Sequence, residues 1–160
     1  MPAVRVMIFG YESQLPHSMS HVQLDDLAGP LQIAIGQILR SDKRKPLLLI
    51  GHSFDGLLVK QALIRIAEPG FENGLPNLLD MITGTLLFGT PNDGLDIKSL
   101  VLMVNDQPNR FLLESLNCKN SQVLRRQRQE FSKVLERTKL QLFCLYETEL
   151  SPTATQDPAT

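Results

Sequence analysis

The run Leu47-Leu48-Leu49-Ile50 passes through Gly51-His52-Ser53-Phe54-Asp55-Gly56 into Leu57–Ala67, a segment whose apolar residues lie on nearly every side of a helix. Four successive apolar residues suit a strand covered on both faces, and a helix apolar all round must itself be buried. The six residues between them hold two glycines, which lets the backbone reverse sharply. The chain therefore has to place a strand in its interior and pack the following helix against it. Three more strand-length apolar runs, Val4–Phe9, Gly84–Phe88 and Leu140–Leu145, read the same way, with helical patterns between them. The order β-α-β-α-β-α-β predicts an α/β fold with a mostly parallel sheet flanked by helices.

The first connecting segment spaces Leu24, Leu27, Leu31, Ile35, Ile38 and Leu39 as one helix face. Gly29-Pro30 interrupts it, so this helix is expected to kink there or to begin at Pro30. Pro69-Gly70 ends the second helix. The last pattern puts Leu124, Phe131, Val134 and Leu135 on one side, with Arg, Gln, Glu and Lys opposite. A chain of 160 residues holds one core, read as a domain over residues 1–150 with a disordered polar tail over residues 151–160.

A net charge of −1 gives no electrostatic reason for a nucleic-acid partner. The basic clusters Lys43-Arg44-Lys45 and Arg125-Arg126-Gln127-Arg128 read as solvated surface. Cys118 and Cys144 lack metal-ligand spacing and read as reduced, buried thiols. The start of the chain lacks the pattern of a secretory signal, and no apolar run approaches the ~20 residues that span a bilayer. The expectation is a soluble, cytoplasmic protein that needs no metal or cofactor.

A strand–turn–helix setting gives chemical meaning to Gly51-His52-Ser53. A hydroxyl on a tight turn projects into a cleft instead of packing into the sheet. The helix start behind it offers N–H donors and the positive end of a dipole, both suited to a developing oxyanion. In this reading Ser53 is the nucleophile and the Phe54 N–H an oxyanion donor. The bland alternative is that Ser53 merely caps the helix. A phosphate loop is excluded, because Leu57-Leu58 stands where Lys-Ser/Thr would follow the G-x-x-x-x-G spacing of Gly51 and Gly56.

Four blocks follow one another in a family's order: Arg5-Val6-Met7-Ile8-Phe9-Gly10-Tyr11, Gly51-His52-Ser53, Gly56 to Leu63, and Phe88-Gly89-Thr90-Pro91-Asn92-Asp93-Gly94. Over residues 4–148 the chain resembles the lipase-like serine esterases that include serine-active-site-containing proteins and GPI inositol-deacylases. It is most similar to fungal versions at the head of large NACHT and ankyrin- or TPR-repeat proteins. The resemblance implies a partial α/β-hydrolase fold, an ester or lipid substrate, and flanking NACHT or repeat domains. It also implies a site lined by Gly51, His52, Asp55, Gly56, Thr90, Pro91 and Asn92, with Glu147 the candidate acid. Membrane-peripheral placement at mitochondria or endoplasmic reticulum follows only from the family's lipid-linked members.

The chain departs from the family at Asp55, where a glycine is usual; the aspartate is expected to bring bulk and charge into a crowded turn. Asn92 replaces a histidine. The catalytic base is missing: the chain's histidines, His17, His21 and His52, all precede Ser53, whereas the fold's order is Ser, acid, His. A preceding family strand with a His-Gly-rich loop also has no counterpart here. That strand would lie between Val4–Phe9 and Pro46–Ile50, so these two are expected either to close up and pair directly or to leave the fold marginally stable. Two functions follow: a serine esterase, weakly active or inactive as it stands, or a non-catalytic pseudoenzyme or signalling fragment. The apolar residues Leu100, Leu102, Met103, Phe111 and Leu112 suit a lipid-like ligand or an ordinary core-facing helix.

Overall fold

A computed structural model describes residues 4–11, 23–41, 46–71, 78–94, 110–117 and 121–146. Glu147, His17, His21, Cys118, the Lys43–Lys45 cluster and the predicted tail lie outside the described residues. In chain order the elements are α1 (Leu24–Ser41), β1 (Leu47–His52), α2 (Phe54–Ile66), a 3₁₀ turn (Leu78–Met81), β2 (Ile82–Phe88), α3 (Arg110–Ser115), α4 (Gln122–Arg137) and β3 (Gln141–Leu145). The three strands form a parallel sheet in the order β1-β2-β3, with His52 level with Phe88 and Phe88 level with Leu145. The α/β reading of the sequence holds at that level.

Helix α2 is the hub. It packs on β1, α1 and α4. Leu57, Leu58, Ala62, Leu63 and Ile66 are buried, as its all-round apolar pattern requires. Helix α1 brings Leu24, Ala28, Leu31, Ile35 and Leu39 against it, and α4 brings Leu124, Phe131 and Val134. Polar ties fix the helix pairs. Arg65 donates to Gln32 Oε1 at 2.8 Å and to Asp25 at 2.6 Å, joining α2 to α1. Gln127 Nε2 donates to Leu57 O and to Gln61 Oε1, each at 3.0 Å, joining α4 to α2. Gln127 is thus buried, unlike its exposed neighbours Arg125, Arg126 and Arg128.

Four expectations need correction. Val4–Phe9 is not a strand: it makes no backbone hydrogen bond among the described residues, and Val4, Val6 and Ile8 are 82–94 % exposed. It therefore has not closed up on β1, which is left as an edge of the sheet. Nor are the strands covered on both faces. Leu48, Ile50, Phe143 and Leu145 are 49–63 % exposed, because the described helices pack on the opposite face. Of the two alternatives at Gly29-Pro30, the start at Pro30 is ruled out: helix α1 runs through that residue from Leu24, since proline removes only one ladder bond there and the residue is exposed. Cys144 is exposed rather than buried, lying on the edge strand β3.

Candidate active site around Ser53

The carboxyl ends of β1 and β2 converge on the Gly51–Gly56 turn. Ser53 N donates to Phe88 O at 2.8 Å, and Gly89 N donates to Leu145 O at 2.8 Å, so the loops after β1 and β2 leave the sheet side by side. In open parallel sheets this end is where ligands bind.

Ser53 has φ 50° and ψ −120°, the one positive φ of a non-glycine residue among those described. A side chain in this region is strained by about 1–3 kcal/mol. Ser53 sits at the head of α2 yet makes no side-chain cap bond. Ser121 heads α4 with φ −70° and accepts from Leu124 N at 3.0 Å, as capping requires. The two serines occupy the same position relative to a helix and do different things. The capping reading therefore fails for Ser53, whose hydroxyl is half-buried and has no hydrogen-bond partner among the described residues. Phe54 N–H has no acceptor among them either, as the first donors of a helix lack partners within it.

The turn holds its shape through two glycines. A Cβ on Gly51 would come within 2.9 Å of Gly56 Cα, and one on Gly56 within 1.9 Å of Thr90 Oγ1. Gly56, not residue 55, is thus the crowded position. Asp55 is exposed, one helical step round from Gly56, and accepts a hydrogen bond from Tyr11 at 2.5 Å. The expected intrusion of bulk at Asp55 does not occur. Because glycine relieves positive φ, Ser53→Gly is expected to exceed Ser53→Ala in stability by about 1 kcal/mol. Urea unfolding of both variants checks this, and equal midpoints would mean the turn is unstrained.

Thr90 Oγ1 is buried over Gly56 without a partner among the described residues, and Pro91 follows in the same turn. Asn92 is brought to α2 but committed elsewhere: its Oδ1 accepts from Lys60 Nζ and its carbonyl from Arg128 at 3.1 Å. Burial pushes the Lys60 ammonium below its ordinary range. A lysine between the apolar residues Val59 and Ala62 of a largely buried helix was the available sequence signal for this clamp. His52 is exposed at the end of the open sheet face.

Tyr11 was not singled out from the sequence. Its ring lies 6.3 Å from both Phe9 and Phe54, forming an aromatic wall beside the turn. Burial, then the bond to Asp55 and that carboxylate's charge, raise its pKa well above 10.0. Above pH ~10 the unfolded chain loses this proton while the folded chain keeps it, so stability falls as pH rises. Tyr11→Phe is expected to flatten that fall between about pH 10 and 12, read by denaturant unfolding against pH; an unchanged slope would contradict the contact.

Among the described residues no group of three or more His, Cys, Asp or Glu could hold a metal ion, and no helix is long and apolar enough to cross a membrane. Comparison with family models, curated proteins and solved structures returns no match.

Proposed function

We propose that the chain carries a serine-esterase-like acylation site, with Ser53 as nucleophile and Phe54 N–H as one oxyanion donor. The observation that carries this reading is the strained, uncapped conformation of Ser53 on its strand–turn–helix. Strain of this kind persists only where the surrounding structure imposes it, and it frees the hydroxyl for a substrate. Ser53 Oγ attacks an ester carbonyl carbon and loses its proton to water. The bond to the leaving alcohol breaks, and the alcohol takes up a proton from solvent. Water then splits the acyl-serine into carboxylic acid and free Ser53.

Among the described residues no side chain is placed to act as a base: His52 lies on the open sheet face, and Asp55 is engaged with Tyr11. This favours a site that acylates and then stalls, and it gives the non-catalytic alternative its weight. A lipid-like ester and flanking NACHT or repeat domains belong to this proposal through the family resemblance. A short-chain nitrophenyl ester tests it. The expected result is a burst of nitrophenol of up to one equivalent per chain, absent in Ser53→Ala. Equal release from both variants would remove the reading.

A further inference from the structure

Two elements that are unpaired among the described residues are complementary to each other. The first is the outer edge of β1, whose six residues carry no Lys, Asp, Glu, Arg or Pro. Edge strands that remain alone are ordinarily protected by charge, proline or brevity, and β1 has no such protection beyond one register irregularity at Leu47/Leu48. The second is the segment Val4–Ile8, in which alternate residues are β-branched and almost fully exposed, with no backbone hydrogen bond among the described residues. β-branched residues in alternation fit a pleated strand.

Within one molecule the two do not pair. The segment ends at Phe9, which stacks on Tyr11, and Tyr11 is held against Phe54 and Asp55 at the start of α2. Its root is thus anchored beside the end of β1 while its apolar residues face solvent.

We propose that two copies of this chain exchange these segments, Val4–Ile8 of each adding a strand to the β1 edge of the other. Each chain supplies one donor and one acceptor, so reciprocal exchange closes at a dimer with two-fold symmetry. Main-chain hydrogen bonds along the strand provide the affinity. A net charge of −1 opposes the encounter little; the three strands carry no Lys, Arg, Asp or Glu, and the donated segment carries one charge, the exposed Arg5, out of step with Val4, Val6 and Ile8. The inference is independent of the acylation site.

Sedimentation equilibrium of the full chain at tens of micromolar is expected to give twice the 17.9 kDa chain mass. Val6→Lys/Ile8→Lys should weaken association at least about tenfold with unchanged far-UV circular dichroism, because neither side chain is in the core. Hydrogen exchange on the wild type gives a second readout that needs no variant to fold. Protection of amides in Val4–Ile8 and in Leu47–His52 should rise together with protein concentration. A monomer at these concentrations would overturn the proposal, as would mass growth without limit. So would a dimer that survives the lysine pair but dissolves in Phe143→Lys, which would place the contact on the open sheet face.

Discussion

Gly56→Ala is expected to destabilise the chain by at least about 1–3 kcal/mol. The new Cβ would stand 1.9 Å from Thr90 Oγ1, 2.7 Å from Thr90 Cγ2 and 2.8 Å from Thr90 Cβ. A rotamer change moves Oγ1 and Cγ2 but leaves the 2.8 Å clash with Thr90 Cβ, which belongs to its backbone position. Gly56 is also the residue on which Gly51 rests, with backbone on both sides of the contact. Overpacking a well-filled core costs about 1–3 kcal/mol and sometimes more. Here the displaced loop would also strain the Lys60 and Arg128 bonds to Asn92. A sheet with one bare apolar face has little stability to lose, because single domains hold only ~5–15 kcal/mol in total. Circular dichroism and urea titration read the outcome. Thr90→Gly added to Gly56→Ala removes all three clashing atoms and should restore part of the lost stability, a coupling that a double-mutant cycle isolates. A Gly56→Ala single variant as stable as the wild type would mean that strand and helix are not in close contact at this turn.

Wild-type protein treated with a short-chain nitrophenyl ester is expected to hold its acyl group rather than turn over. General acid–base catalysis supplies about 10²–10⁴ in rate, and none of the described residues is placed at Ser53 to supply it. The strained turn and the Phe54 N–H, which has no acceptor among the described residues, assist attack, and with no base placed among those residues water serves as base in both steps. Intact mass should therefore show one acyl adduct persisting after the ester is consumed. Imidazole added to the acylated, ester-free protein should hasten loss of the adduct about tenfold or more, by supplying the missing base. Loss of the adduct as fast without imidazole as with it would show that a base is already present.

How much of this was legible in the sequence depended on how local the signal was. Strand β1, the turn and α2 are contiguous, and their apolar pattern alone predicted a strand, a tight turn and a buried helix. The pairing of β1 with β2 and of β2 with β3 fits the expected parallel sheet. Val4–Phe9 misled because an apolar run states only that a strand would be buried if it had neighbours; whether neighbours exist is not a local property. The open sheet face has the same origin, since Leu48 and Ile50 read as buried on a sheet that the described helices cover on one side. At the site, Ser53 and Gly56 were legible from spacing, whereas the direction of Asp55 was not. Adjacent helical residues point about 100° apart, so a crowded Gly56 leaves Asp55 free to face Tyr11, 44 residues away in sequence. Lys60 holding Asn92 is likewise a long-range contact, foreshadowed only by a charge on a largely buried helix.

The account rests on Ser53 being a displayed nucleophile rather than a helix cap. Fluorophosphonate labelling followed by peptide mapping tests this directly, because such a reagent reports nucleophilic serine without needing turnover. The predicted result is a single adduct on Ser53, absent in Ser53→Ala, with Ser121, which caps its helix, unlabelled. An unlabelled folded protein, or labelling that persists in Ser53→Ala, would contradict it.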